Sequence, residues 1–125
     1  MKLFDIGAEF LILTEMTIDQ FQALIREIYF VKDRERGMDG TFRWLIEEVG
    51  ELARSLRSGN RSAQEEEFAD VFAWLVSLAN LTGIDLGKAC AKYRNGCPKC
   101  HFVPCRCVEN PQFGIGDKEK EDSGD

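Results

Sequence analysis

Residues 47–52 read EEVGEL and residues 67–71 read EFADV, and these two acidic segments decide how the chain is interpreted. Acids three or four positions apart lie one turn apart on the same side of a helix. Glu67 and Asp70 share their helix face with an apolar stripe that continues to Leu81, so carboxylates stand where apolar side chains are expected. Burying unpaired carboxylates costs several kcal/mol. A cation held between two helices would remove that cost.

The type of ligand atom predicts the type of cation. Neither His nor Cys lies near the two segments, so carboxylate oxygens are the ligands on offer. Oxygen ligands favour a hard ion, and we expect Mg²⁺, with Mn²⁺ as the alternative. The competing interpretation is two solvated helix faces that form surface ion pairs.

The charge balance excludes several classes of partner. A net charge of -6 and a pI near 4.9 argue against binding to a nucleic acid polymer, which needs a basic face. No apolar run approaches the roughly 18 residues of a membrane span. The first sixteen residues are too acidic and their apolar run too short for a secretory signal. We expect a cytoplasmic protein that does not bind membranes.

Apolar periodicity and turn residues predict four helices in a domain at residues 17–95. Thr17 and Gln20 form a predicted capping box at the first helix. Ser62 is the predicted cap of the third helix, and residues 32–40 are predicted to be a connector because they are charged and contain two glycines. The predicted helices cover about residues 18–31, 42–57, 63–81 and 86–94.

Three further regions flank this domain. Residues 1–16 form a predicted N-terminal extension, residues 96–109 a Cys-rich knuckle, and residues 110–125 a disordered acidic tail. The third helix is apolar on two sides, which predicts burial on two sides. Four short helices can hardly cover it, so we expect a homodimer or homotetramer.

The string EEVGELA at residues 47–53, followed by EFADV at residues 67–71, resembles the MazG nucleotide pyrophosphohydrolases. Their pattern is E-E-x-x-E, a variable gap, and then E-x-x-D. The resemblance implies an all-α, four-helix bundle completed by dimerisation or as a tetramer. It also implies hydrolysis of nucleoside triphosphates to a nucleoside monophosphate and pyrophosphate, a housecleaning activity on the nucleotide pool.

The resemblance assigns roles to the acids. It implies that Mg²⁺ is held by Glu48, Glu51, Glu67 and Asp70, and that Glu47 holds a further ion or activates the attacking water. A triphosphate carries about four negative charges, and a cluster of acids would repel it without bound metal.

Substrate-binding candidates come from two other places in the chain. Lys88, Lys92 and Asn95, on and after the fourth helix, are candidates for binding the phosphates. The alternative for Lys88 is a favourable position near a helix C-terminus. Trp44 is a candidate for stacking on the base, and its alternative is a place in the core.

A second metal site is predicted from four cysteines within eleven residues: Cys97, Cys100, Cys105 and Cys107. Their C-x-x-C and C-x-C spacing lets four thiolates reach one tetrahedral Zn²⁺ of structural type, and His101 is an alternative ligand. A redox switch and an iron–sulfur cluster remain alternatives, whereas disulfides are disfavoured in a cytosolic chain.

Two functions of different kinds follow. The first is a Mg²⁺-dependent nucleoside triphosphate pyrophosphohydrolase. The alternative is a non-catalytic helical dimer whose zinc knuckle binds a protein partner. A di-iron carboxylate bundle is set aside because it needs a Glu-x-x-His pair on its helices, and His101 is the only histidine. Which nucleotide is preferred does not follow from the sequence.

Overall fold

The structure, a computed structural model, describes residues 15–110 and 114–115. Residues 1–14 of the predicted extension, and residues 111–113 and 116–125 of the predicted tail, lie outside the described residues. The elements in chain order are α1 (Ile18–Ser58), α2 (Arg61–Thr82), α3 (Leu86–Ala89), a 3₁₀ helix (Cys90–Tyr93), β1 (Glu109–Asn110) and β2 (Gly114–Ile115).

Helix α1 begins at the predicted capping box, which is confirmed. The Thr17 side chain accepts a hydrogen bond from the Gln20 N–H (3.1 Å), and the Thr17 N–H donates to the Gln20 side chain (2.9 Å). The predicted connector at residues 32–40 contains the break between two helical arms, but the break is confined to Gly37 (φ 87°, ψ 169°) and the rest of the segment is helical. Charged Lys, Arg and Glu residues are good helix formers, so charge alone does not end a helix. We call residues 18–36 the N-terminal arm of α1 and residues 38–58 its C-terminal arm.

A turn of two residues joins α1 to α2. Gly59 ends α1 in the left-handed conformation (φ 73°). Asn60 caps α2, because its side chain accepts a hydrogen bond from the Ala63 N–H (3.1 Å). The predicted cap Ser62 is therefore wrong: Asn is among the strongest capping residues and starts the helix earlier. The short turn makes α1 and α2 a helical hairpin.

Both arms of α1 contact α2. The rings of Phe21 and Phe72 stack with their centroids 5.2 Å apart. Near the C-terminal end of α2, Gln22 Nε2 donates to Asn80 Oδ1 (3.1 Å), and Asn80 Nδ2 donates to the Gln22 carbonyl (3.3 Å). The buried apolar residues of the described chain are Ile25, Leu45, Val76 and Ala79. The C-terminal arm contacts α2 near the acids, where the rings of Trp44 and Trp74 stack with their centroids 5.7 Å apart.

Many large apolar side chains remain exposed on this hairpin, among them Phe42, Ile46, Val49, Phe68, Phe72 and Leu75. The all-α class is confirmed, since residues 17–95 contain helices and no strand. Completion of the bundle by further copies stays a prediction.

The chain divides after Gly87 into two compact units. The second unit contains the 3₁₀ helix, the cysteines and the two-residue antiparallel strands β1 and β2, in which Glu109 pairs with Ile115. The predicted fourth helix is wrong in length: after the four residues of α3 the chain tightens into the 3₁₀ helix, as is common at helix ends. No single described helix is long and apolar enough to cross a membrane. Arg61–Thr82 and Leu86–Tyr93 meet that criterion only together and are bent by 100°.

Candidate metal centre

Three of the predicted acids meet on the helical hairpin. Glu48 comes from the C-terminal arm of α1, and Glu67 and Asp70 come from α2 one turn apart. One carboxylate oxygen of each residue lies within 4.8 Å of those of the other two. Glu48 and Glu67 are half-buried and Asp70 is exposed. The cluster therefore has one open side, through which a ligand can reach it.

The electrostatics of the cluster are unfavourable without a cation. Desolvation, a hydrogen bond with Glu67 and the negative charges of Asp70, Glu67 and Glu51 raise the pKa of Glu48. Glu67 Oε1 is buried and has no hydrogen-bond partner among the described residues. A buried acceptor of this kind costs free energy unless something binds it. The cluster therefore offers a cation both negative charge and a carboxylate oxygen, Glu67 Oε1, that has no other partner.

These residues fit a divalent hard cation. The donor set consists of carboxylate oxygens from two elements that are rigidly joined by a short turn, which is the ligand chemistry of Mg²⁺ and Mn²⁺. A bound cation would neutralise the repulsion that raises the pKa of Glu48 and would give Glu67 Oε1 a partner.

The other two predicted acids on α1 lie differently. Glu51 Oε1 is 2.7 Å from Nη1 of Arg54, in an ion pair that is exposed on both sides. Glu51 is nevertheless close enough for its charge to act on Glu48. Glu47 is exposed on the same helix. A role in metal binding or in water activation stays a prediction for both residues.

A cavity of about 230 Å³ lies beside the cluster and shares Asp70 with it. Its other lining residues are Tyr29, Lys32, Asp33, Arg36, Ala73, Trp74 and Ser77. Four of them come from the N-terminal arm of α1, and three of these four lie in the predicted connector at residues 32–40. Their spacing of three to four residues, which is the spacing of one helix face, is the signal that could have identified them.

A polar network forms one wall of this cavity. Arg36 Nη1 lies 2.8 Å from Asp33 Oδ1 and donates to Thr41 Oγ1 (3.2 Å). The guanidinium of Arg36 also lies over the ring of Trp74, 4.8 Å from its centroid. Asp33 and Thr41 are buried. The network spans the break at Gly37 and holds the two arms of α1 against α2.

The predicted substrate-binding residues occupy three places. Trp44 is 47% exposed and stacks on Trp74, with centroids 5.7 Å apart and ring planes 11° from parallel. Lys88 lies in α3. Lys92 lies in the 3₁₀ helix, with its ammonium 5.3 Å from the ring centroid of Tyr93, and Asn95 is exposed just after that helix.

The four cysteines of the second unit converge. Their sulfur atoms lie within 4.8 Å of one another, with 3.7 Å between Cys97 and Cys107 and 3.9 Å between Cys100 and Cys105. A tetrahedral Zn²⁺ with Zn–S bonds of about 2.3 Å places its sulfurs about 3.8 Å apart. The spacing of the sulfurs therefore fits a single tetrahedral ion.

Backbone N–H groups point at these sulfurs. Sulfur atoms accept from the N–H groups of Lys99 (3.4 Å to Cys97) and of Arg106 (3.2 Å to Cys100). The N–H groups of Cys100 and Lys99 lower the pKa of the Cys97 thiol to about 6, and the Arg106 N–H lowers the pKa of Cys100. A thiolate is the form that binds metal.

The first unit is thus a helical hairpin with three clustered carboxylates whose oxygens fit a divalent cation, open to one side and flanked by a cavity. A sequence model described as the MazG nucleotide pyrophosphohydrolase domain matches residues 36–101, which is more than half of the chain. The chain belongs to the MazG family, which confirms the resemblance. A search of curated proteins gave no significant match.

Proposed function

We propose that this protein hydrolyses nucleoside triphosphates to a nucleoside monophosphate and pyrophosphate in a Mg²⁺-dependent reaction. The observation that carries the proposal is the convergence of Glu48, Glu67 and Asp70 from two helices onto one point. Membership of the MazG family supports the same reaction. Without a shared ligand, three carboxylates this close would only repel one another, because their charges have the same sign.

Each group of residues then has a task. Glu48, Glu67 and Asp70 would hold Mg²⁺, and Glu51, which is paired with Arg54, would be a further ligand. When bound, Mg²⁺ supplies positive charge to the polyphosphate and acidifies the attacking water. Glu47, exposed on the same helix, accepts a proton from that water. The phosphates are bound by Lys88, Lys92 and Asn95, and Trp44 contributes an aromatic surface for the base.

The reaction is tested with a panel of deoxy, ribo and modified triphosphates in the presence of Mg²⁺ or Mn²⁺. Release of pyrophosphate together with the monophosphate, rather than of orthophosphate, is the expected result. Glu67→Gln should lower kcat by at least about a hundredfold while the helical circular dichroism is kept. Glu66→Gln is the matched control, because it makes the same change one residue away, outside the cluster, and should leave turnover intact.

The absence of pyrophosphate release from every triphosphate, with either ion, would refute the proposal. Equal turnover by Glu67→Gln and Glu66→Gln would refute the assignment of the site.

We also propose an assembly, a class of partner and a location for the enzyme. The exposed apolar side chains of the hairpin, such as Phe68 at 57% exposure, support a homodimer or homotetramer. The acidic charge supports a small nucleotide as substrate, without a nucleic acid polymer or a membrane as partner. We propose a cytoplasmic location, which suits four reduced cysteines.

We also propose that Cys97, Cys100, Cys105 and Cys107 hold one structural Zn²⁺. The fit of the sulfur spacing to a tetrahedral ion supports zinc, and the N–H groups that donate to the sulfurs stabilise the thiolates. An iron–sulfur cluster distributes its four thiolates over several iron atoms and needs a wider arrangement. The ion would order a short segment that has little apolar core of its own.

Zinc is tested by elemental analysis of the purified protein, which should contain one equivalent per chain. Cys97→Ser should lose the metal, whereas Cys90→Ser, a change at the exposed cysteine outside the cluster, should retain it. Iron in place of zinc, or full metal content in Cys97→Ser, would contradict this proposal.

A further inference from the structure

The cavity beside Asp70 contains a buried acid that the proposed reaction does not use. Asp33 is 1% exposed, and it lines the cavity from the N-terminal arm of α1. Its Oδ1 is occupied by Arg36 at 2.8 Å. Its Oδ2 is buried and has no hydrogen-bond partner among the described residues. Buried acceptors in folded proteins are nearly always paired, so a ligand donor that reaches this oxygen would meet an unfilled acceptor.

The surroundings of Asp33 indicate which end of a nucleotide the cavity takes. The charged groups of the lining, Lys32 and Arg36 against Asp33 and Asp70, cancel, so the cavity has no net positive charge to hold a polyphosphate. The ring of Tyr29 lines the same cavity and suits a planar base, whereas Trp74 already stacks on Trp44 and lies under the Arg36 guanidinium. Asp70, which belongs to the metal cluster, stands at the edge of the cavity. A nucleotide whose phosphates lie at the metal would therefore place its base towards Asp33.

The single unpaired oxygen limits what can be recognised. Oδ2 is the oxygen of Asp33 that has no partner, and a carboxylate oxygen accepts hydrogen bonds and does not donate them. An exocyclic amino group, as on cytosine or adenine, can donate to it. Uracil and hypoxanthine carry a carbonyl oxygen at the same position, which would face the carboxylate lone pairs, and their nearest donor is the N–H of the neighbouring ring nitrogen.

We propose that the cavity lined by Asp33 binds the nucleobase, and that Asp33 Oδ2 selects triphosphates whose base carries an exocyclic amino group. The inference rests on the function proposed above and deepens it by naming the class of substrate. Arg36 is a positioning residue here, since it holds Oδ1 and leaves Oδ2 without a partner.

The first experiment compares matched substrates on the wild-type protein. The members of each pair, dCTP with dUTP and ATP with ITP, differ in an exocyclic amino group against a carbonyl and in the ring-nitrogen proton that accompanies the carbonyl. The amino member of at least one pair should have a kcat/KM at least about tenfold higher, because a buried acceptor left unpaired penalises the wrong analogue. A dCTP methylated twice on its amino nitrogen keeps the ring but has no donor, and it should lose the advantage over dUTP.

The second experiment changes the acceptor. Asp33→Asn replaces a carboxylate oxygen by an amide that can donate to a carbonyl, so the preference should collapse or reverse. Thr41→Val is the matched control: it removes the other partner of Arg36 and leaves Asp33 in place, so the ratio within each pair should persist even if both rates fall. Circular dichroism reports whether each variant is folded.

The outcomes separate this inference from the proposed function. Turnover without any preference within either pair, or an unchanged ratio in folded Asp33→Asn, overturns the inference and leaves the pyrophosphohydrolase intact. If Asp33→Asn does not fold, the doubly methylated dCTP decides: activity equal to that of dCTP overturns the inference. No pyrophosphate from any triphosphate overturns the proposed function and the inference together.

Discussion

At the scale of single residues, Glu51 has two competing partners. It forms an exposed ion pair with Arg54, and its charge also acts on Glu48 in the cluster. An exposed pair of this kind contributes about 1 kcal/mol or less. A divalent cation attracts a carboxylate more strongly, so Glu51 can leave Arg54 when the ion binds.

This competition gives a prediction for metal binding. Glu51→Gln should raise the Mg²⁺ concentration needed for half-maximal activity by about tenfold or more, because a ligand is lost. Arg54→Gln should leave that concentration unchanged or lower it, because it frees Glu51. Magnesium titrations by activity and by calorimetry measure both effects. An unchanged titration in Glu51→Gln would mean that Glu51 remains with Arg54.

At the scale of the elements, the break in α1 depends on one residue. Gly37 has φ 87° and ψ 169°, a conformation that residues with a side chain rarely adopt. Gly37→Ala should lower the free energy of unfolding by about 1–3 kcal/mol, although nothing lies within 4 Å of the added methyl group. Urea denaturation measures the change.

Gly50→Ala is the comparison within the same helix. Gly50 is helical and also has nothing within 4 Å of its Cβ position. Alanine there should raise the stability of a single copy by about 0.5–1 kcal/mol, since it is the better helix former. A loss at Gly50 would show that a second copy or a ligand approaches the backbone there. No loss at Gly37 would show that the break does not need glycine.

The contact between α1 and α2 at the acids predicts how stability depends on pH. Desolvation in the folded protein raises the pKa of Glu48 above its ordinary value of 4.5. The unfolded chain therefore releases this proton at a lower pH than the folded chain does, and the free energy of unfolding falls as the pH rises above about 4.5. Mg²⁺ opposes this loss, so it should raise Tm more at pH 8 than at pH 5. Thermal melts of Glu48→Gln, which cannot ionise there, should show a smaller difference between the two pH values.

The sequence was sufficient to predict that the acids share a helix face and that a turn separates their two helices. Glu67 and Asp70 are one turn apart in any helix, and Gly59 next to Asn60 ends one helix and starts the next, so a hairpin and a shared face follow from local rules. Asp33 and Arg36 could not be placed in this way. Their role depends on how the N-terminal arm lies across α2, and that packing is set by contacts more than thirty residues apart, such as Arg36 with Trp74.

At the scale of the whole molecule, the exposed apolar surface predicts self-association. Phe68 is 57% exposed on α2, beside other apolar side chains that a single copy does not cover. Analytical ultracentrifugation should give a dimer or tetramer. Phe68→Lys should shift the protein towards monomer, whereas Phe102→Lys, at a 45% exposed aromatic of the second unit, should not. A wild-type protein that stays monomeric at every concentration would contradict the expected assembly.

The two-residue turn between α1 and α2 affects the order in which parts of the chain fold during synthesis. All three clustered acids lie within 23 consecutive residues, from Glu48 to Asp70. Pairing over so short a separation forms quickly, because little chain has to be ordered first. On the ribosome, these acids can come together as soon as α2 leaves the exit tunnel, before the cysteines emerge. An ion captured at that moment would hold the nascent helices side by side while the rest of the polypeptide is still being translated.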